Sequence, residues 1–312
     1  MANLDKTNLN VSNDLEDEIS LIELFQALKE GKRILFFITS LFAVCSIIYS
    51  LTLTNLYRSQ SLLIAEDSKD LGSLSQYSGM ASLVGLNIGG AGTDGSIEVM
   101  EIIKSREFVK HLITFDDVLP SIMAAKSFDI ASKELSFDFE IYNPETKTWA
   151  KKPSYLEVYK VYLDGIMSIS QDEFSGLISI NVEHMSPIFA KDFLDLIIKE
   201  ANNLKRDKDI STSTNALNYL KLELSNTKLV EIKDSINQLI QSQLETQMMA
   251  KVKEDYSLAI IEPPFIPEAR SWPSRSLISI LGTIIGGLLS ISFVLLRYFF
   301  FSKEIINKEI NT

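Results

Sequence analysis

The chain has 312 residues, 46% of them hydrophobic, and a formal net charge of −11. An acidic balance of this size argues against a basic face for phosphates, so nucleic acid is not an expected partner. The single cysteine, Cys45, lies inside an uncharged run, so no disulfide braces a domain elsewhere and packing alone must hold it.

Residues 1 to about 18 are polar and acidic, with too little apolar surface to order themselves. Ser20 and Glu23 then form a capping box, and Leu21, Leu24, Phe25 and Leu28 fall at i, i+3, i+4 and i+7. This predicts a short amphipathic helix against the inner surface of a membrane, within a cytoplasmic tail of residues 1–33. Lys32-Arg33 lead into an uncharged run, residues 34–53, long enough at ~1.5 Å per residue to span a bilayer. Its apolar part exceeds a signal peptide's and no small-x-small cleavage site follows, so an uncleaved first transmembrane helix is expected.

Leu56 to Ala65 reads as a strand, and the Gly/Ser-rich stretch from Ser68 to Gly95 as a loop with a short helix near Leu71 to Leu83. Gly90, Gly92 and Gly95 match G-x-G-x-x-G, but with no strand before them and no βαβ unit around them they do not predict a nucleotide site. Apolar spacing from Ser96 to Phe115 predicts one amphipathic helix; 116–154 reads as irregular, with a turn at Asn143-Pro144-Glu145. Tyr155 to Ile169 predicts a further helix, Phe174-Ser175-Gly176 a turn, and the strict alternation from Leu177 to Glu183 a half-buried strand. His111 and His184 have no cysteine or acidic ligand spacing around them and read as structural or exposed.

From Ser186-Pro187 to Tyr256 there is no glycine and no further proline, which predicts one very long helix over about 186–256, capped by Ser186. If continuous it would reach roughly 100 Å. If it bends, the Ser/Thr-rich Asp209 to Asn215 is the place expected. The rod carries a narrow apolar stripe including Leu229, Ile232, Ile236 and Leu244, too long for its own domain to cover, so it is expected to be an oligomer interface. Ser257 to Ile261 reads as a last strand. Pro263, Pro264, Pro267 and Pro273 then fix φ and remove donors, so residues 262–275 must run as a stiff extended strut. Residues 277–296 form the second uncharged span, with Trp272 at its outer edge, Arg297 and Tyr298 at the other, and a tail at 297–312. Gly282, Gly286 and Ser290 lie four residues apart with Gly287 beside them, a small face expected to pack against another transmembrane helix.

These readings combine into an α+β fold in which two transmembrane helices bracket a periplasmic α/β base domain, residues 54–276, with one very long protruding helix. Lys29, Lys32 and Arg33 before the first span, and Arg297, Lys303 and Lys308 after the second, outweigh Arg58, Lys69, Arg270 and Arg275 on the other flanks, which places both termini in the cytoplasm. No catalytic residue, metal or cofactor is expected. Asp164, Asp172 and Glu173 read as a charged surface rather than a glycosidase pair, and no nucleophile motif accompanies them.

The order of these features resembles the chain-length determinant (Wzz-type) family of polysaccharide co-polymerases. The leading segment is similar at Asp17 to Leu28 with Lys32, the first strand at Tyr57 to Ile64, and the central signature at Gly176 to His184 with Pro187 and Ala190. Tyr219 to Leu224 and Pro267-Glu268 fit as well. The resemblance implies a homo-oligomer in the bacterial inner membrane that sets the modal length of a cell-surface polysaccharide, such as the O-antigen of lipopolysaccharide, made by a separate membrane polymerase. Its implied partners are other copies of itself, that polymerase, membrane lipid and the growing lipid-linked glycan. An alternative is a membrane adaptor for a separately encoded tyrosine kinase in capsule or exopolysaccharide export. No G-x-x-x-x-G-K-[ST] occurs and the chain ends soon after the second span, so a fused kinase is not expected. The topology has a direct test: a cysteine placed at Asn143 in a Cys45→Ser background is expected to react with an impermeant maleimide in cells with only the outer membrane opened. Labelling that waits for the inner membrane to be opened inverts the topology.

Overall fold

The computed structural model of the chain describes residues 28–65 and 94–309. Most of the expected amphipathic helix, and the Gly/Ser-rich loop with Gly90 and Gly92, fall outside the described residues. The chain divides into two compact units, Met1–Leu53 with Pro273–Thr312, and Thr54–Trp272.

The first unit opens with α1 (Lys32–Thr52), apolar on nearly all sides. In the second unit, β1 (Tyr57–Ala65) begins a mixed helix/sheet fold. The expected single helix from Ser96 to Phe115 is instead α2 (Asp94–Lys104) and α3 (Arg106–Leu112). They are parted at Ser105, whose hydroxyl caps α3 by accepting the Phe108 N–H at 3.2 Å. Serine competes for backbone donors in this way, and so it breaks a helix that apolar periodicity alone would continue.

The stretch 116–154, expected to be irregular, holds α4 (Val118–Met123) and two small hairpins, β2 (Ala125–Asp129) with β3 (Glu134–Phe137) and β4 (Tyr142–Asn143) with β5 (Thr148–Trp149). Strands of two to five residues are too short to show a period, yet their turns are chemically marked. Asp129 accepts the Ala131 N–H at 2.9 Å and Asn143 the Glu145 N–H at 2.9 Å.

A capping box of Ser154 and Glu157 starts α5 (Tyr155–Val161), which widens into a π turn and ends at Ile166. Met167 to Ile169, expected as helix, open β6 (Met167–Gln171) because Met167 and Ile169 pair with Val182 and Ile180 of β7 (Ile178–His184). Tertiary pairing overrides local propensity there. Burial alternates without a break along β7, as its sequence predicts.

The expected single helix over 186–256 is two helices, α6 (Pro187–Asn226) and α7 (Val230–Val252). Ser186 caps α6 as expected, accepting the Phe189 N–H at 3.2 Å. At about 60 Å, α6 is still long. The break falls at Thr227 and Leu229, both extended, and the chain then folds back. Gln247 of α7 donates to Thr214 of α6 at 2.7 Å, and Arg206 donates to the carbonyls of Lys253 and Glu254 at 3.0 and 2.6 Å. With the reversal Leu217 and Leu220 of α6 and Ile236 and Ala250 of α7 are buried, a gain that a straight rod cannot make. Asp209 to Asn215 stays helical. Ser213 and Thr214 satisfy their hydroxyls on the carbonyls of Asp209 and Ile210, while Asp209 is held by Lys205 at 2.8 Å and by the Tyr256 hydroxyl at 2.9 Å.

Last come β8 (Leu258–Glu262) and, back in the first unit, α8 (Arg275–Glu309). The main sheet has the order β6-β7-β1-β8, antiparallel throughout. Its inner face, Leu63, Ile178, Ile180 and Val182, packs with Phe193, Leu194 and Ile197 of α6 and with Ile103, Phe108 and Tyr162. Asn202 of α6 fastens β8: its side-chain amide donates to the Leu258 carbonyl at 3.1 Å, and its oxygen accepts the N–H groups of Ser257 and Leu258, each at 2.8 Å.

His184, at the end of β7, is buried with both ring nitrogens engaged in the neutral form. One lies 2.9 Å from the Ser121 carbonyl and so carries the proton; the other accepts the Ser186 N–H at 3.0 Å. Burial pushes the imidazole down to about 4. The native state therefore refuses a proton that the unfolded chain takes up below about 6.5, so stability is complete above that value and is lost as pH falls toward 4. Between pH 7 and 5 the full-length protein in detergent is expected to lose about 2 kcal/mol of unfolding free energy that a His184→Gln variant does not lose. Parallel urea titrations of the two give the difference.

Candidate functional site

Among the sequence-derived candidates, the small face of α8 is met by α1. A Cβ added at Gly282 would overlap the Ser46 side chain and come within 2.8 Å of its hydroxyl oxygen, and one added at Gly286 would overlap Phe42 and come within 2.9 Å of its ring. One more step along, the Ser290 and Thr39 hydroxyls are 3.2 Å apart. Ser290 donates to the Gly287 carbonyl at 2.7 Å, which leaves Thr39 as the donor between the helices. Residues 39, 42 and 46 thus meet 290, 286 and 282 in antiparallel order. Gly287 stands apart, since a Cβ there would meet nothing within 4 Å. Two helices apolar all round gain little in hydrocarbon from covering apolar area, so contact of this closeness rests on dispersion and on the hydroxyl pair.

The four prolines also divide. Pro264, Pro267 and Pro273 are buried and Pro263 is exposed. A strut with few N–H groups cannot extend the ladder beyond β8, and β1 answers with side chains. The buried Ser61 hydroxyl donates to the Glu262 carbonyl at 2.7 Å and the buried Ser59 hydroxyl to the Phe265 carbonyl at 2.8 Å. Backbone pairing resumes where donors return. The Leu56 N–H reaches the Trp272 carbonyl, and the Ser271 N–H the Leu56 carbonyl, both at 2.8 Å. Ser59 and Ser61 escaped the sequence reading, although their alternation with Leu63 on the inner face of a strand, where apolar residues belong, was a signal.

The stripe on α7 is split by the reversal. Ile236 is only 6% exposed, whereas Leu229, Ile232 and Leu244 are 60, 45 and 44% exposed. Met248 and Val252 continue the open side.

Acidic groups serve structure. The Asp172 carboxylate accepts the N–H groups of Phe174 and Ser175, at 3.1 and 2.7 Å, and these bonds with the Ser175 hydroxyl hold it below the usual carboxylate range. It shapes the turn before Gly176, whose φ of 72° suits glycine. Burial raises the Glu98 carboxyl, but Lys208 and Lys205, at 2.8 and 3.0 Å, outweigh it and hold the group low, tying α2 to α6. An open groove of about 340 Å³ lined by Asp117, Ser121, Lys133, Phe137 and Asp192 assembles no nucleophile with a base. Among the described residues no cluster of three or more His, Cys, Asp or Glu side chains is placed to hold a metal.

The architecture defines a class: a mixed helix/sheet domain carried between two helices, Lys32–Thr52 and Arg275–Tyr298, long and apolar enough to cross a membrane. Within that class, residues 17–114 match the family model of Wzz, the chain length determinant protein. The match opens at Asp17, where the resembling leading segment begins, and takes in α1, β1, α2 and α3. Among solved structures the chain is similar to a full-length bacterial polysaccharide co-polymerase, with 12% identity, a TM-score of 0.38, and 91% of this chain and 99% of that one covered. It is also similar to a fragment of WzzB, a polysaccharide co-polymerase from Salmonella Typhimurium, with 15% identity, a TM-score of 0.28, and 70% and 100% covered. No curated protein matches the chain.

The close approach of the two apolar helices has a compensating test. Gly286→Leu is expected to destabilise the full-length protein in detergent by about 1–3 kcal/mol, the usual range for overpacking, and Phe42→Ala in the same chain to restore most of the loss. Melting temperatures of the wild type, both single variants and the double variant decide it. Additive losses would mean that these two side chains do not share the space.

Proposed function

We propose that the chain is a polysaccharide co-polymerase of the bacterial inner membrane, a regulator and not a catalyst, which sets the modal length of a cell-surface glycan made by a separate membrane polymerase. The observation that carries the reading is the chain length determinant match over residues 17–114, which includes the first apolar helix and the strand after it. Two further features support it. A second apolar helix follows the domain, so the chain has the parts of a two-span anchor; in this reading the more basic flanks face the cytoplasm with both termini and the main domain is periplasmic. The polar groups of that domain are tied to turns, caps and ion pairs, as suits a protein that acts by shape and contact.

Copies of the chain assemble in this reading through the open side of α7. Leu229, Ile232, Leu244, Met248 and Val252 form an apolar strip on a helix whose other side is already covered, and a strip of that kind is stable in water when another protein surface lies on it. Ile232→Asp with Leu244→Asp is expected to shift the detergent-solubilised protein to smaller species in light scattering while leaving its helical circular dichroism intact. An unchanged mass puts the subunit contact elsewhere.

The function is tested on a gel of surface polysaccharide. A strain lacking the chain is expected to lose the modal cluster of bands and make polymer of broad length distribution, and a plasmid copy to restore the cluster. An unaltered ladder rejects length control, and loss of all surface polymer at every length points to an export role.

A further inference from the structure

Short tethers constrain one end of the domain whatever its orientation. Leu56 follows the end of α1 at Thr52 by four residues, and Trp272 precedes the start of α8 at Arg275 by three. At ~3.5 Å per residue the fully extended tethers reach about 14 and 10 Å. The headgroup layer on each side of a bilayer is roughly 5–8 Å deep. The tethers therefore keep Leu56 and Trp272 in or beside that layer if the two apolar helices cross the membrane, so the inference rests on the reading above. The two positions are also locked to each other. Leu56 exchanges backbone hydrogen bonds of 2.8 Å with Trp272 and Ser271, and the Ser271 hydroxyl adds a third to the Leu56 carbonyl at 3.1 Å.

At this clamp Leu56 is half-buried, while Arg270 and Trp272 beside it stay exposed. Trp272 keeps 44% of its surface exposed although its backbone is bonded to Leu56 and followed by the buried Pro273, so the indole is not a lid on its own domain. Arg270 is exposed, and among the described residues no carboxylate lies within ion-pair distance of it, whereas Arg58 nearby in sequence to Leu56 is taken by Glu183 at 2.6 Å. An amphipathic indole and an open guanidinium two residues apart on a fixed backbone match an interface that is apolar on one side and phosphate-rich on the other.

We propose that Arg270 and Trp272 form a docking face for anionic phospholipid, with the Arg270 guanidinium on a lipid phosphate and the Trp272 indole among the headgroups. The clamp is then a lipid-held collar where the chain leaves and re-enters the membrane.

The test uses the full-length protein in vesicles of phosphatidylethanolamine containing either phosphatidylglycerol or phosphatidylcholine brominated near the headgroup. The signal from Trp272 is the fluorescence lost in a Trp272→Phe variant, which retains Trp149. Brominated phosphatidylglycerol is expected to quench that signal more than brominated phosphatidylcholine at equal content, with up to about fivefold enrichment of the anionic lipid at the indole. Arg270→Gln is expected to remove the preference. Equal quenching by the two lipids in the wild type, or quenching by aqueous acrylamide with none by bromine, in protein that floats with the vesicles, overturns the docking face and leaves the two-span reading standing. Protein that does not float with the vesicles overturns both.

Discussion

β1 is the strand on which the rest of the domain depends. One edge pairs with β7 from Tyr57 to Leu63; the other pairs with β8 only from Leu62 to Ala65. Below that point the neighbouring chain is the proline strut, which has no N–H at Pro263, Pro264 and Pro267 and pairs by backbone again only at Ser271 and Trp272. The gap is closed by two fully buried hydroxyls, Ser59 and Ser61, aimed at strut carbonyls. A buried serine without a partner costs about 1–3 kcal/mol, so these residues are tolerable on the inner face because strut carbonyls accept from them, and their bonds, with those of Leu56 to Ser271 and Trp272, hold the strut against β1. The interdependence explains how a segment with no ladder of its own can be a defined part of the structure.

The helical hairpin follows from a different balance. A single helix over 186–256 would have satisfied its backbone but left most of its apolar stripe in water. Folding back at Thr227 costs one pair of helix ends, and it covers Leu217, Leu220, Ile236 and Ala250. At about 0.8 kcal/mol per buried methylene, burying three large aliphatic side chains outweighs the few hydrogen bonds lost at the break. One side of α7 stays open because two antiparallel helices can cover only one side of each other. Self-association of the chain, in the proposed reading, completes the same burial between copies.

Much of this was legible in the sequence, and the failures share a cause. The two long apolar helices, the alternation of β7, the Ser186-Pro187 cap and the turns at Asn143 and Gly176 are local properties, fixed by a few adjacent residues. The reversal at Thr227 is not local. Asn226-Thr227-Lys228 holds no glycine or proline, and only the partners that meet 20 or more residues apart, such as Thr214 with Gln247, select the break. Asp209 to Asn215 misled for the converse reason: its serine and threonine hydroxyls bond back to helix carbonyls instead of opening the helix. Ser105 shows the same chemistry with the opposite result, because there the hydroxyl faces an N–H at a helix start. In the small seam, Gly282 and Gly286 were visible as a pattern, while Gly287, equally visible, faces away. Spacing identifies a face, and only the partner helix decides which of its residues are used.

The seam and the clamp each fix a geometry within their own unit. At the clamp, backbone bonds between Leu56 and residues 271–272 fix the separation of the two chain exits. At the seam, the side chains of Ser46, Phe42 and Thr39 fix the axial register of the two helices against Gly282, Gly286 and Ser290. A register shift of one helix along the other by a single residue, about 1.5 Å, would carry each glycine away from its partner and put a larger side chain in the contact. Small axial displacements of one helix along the other are therefore resisted by packing.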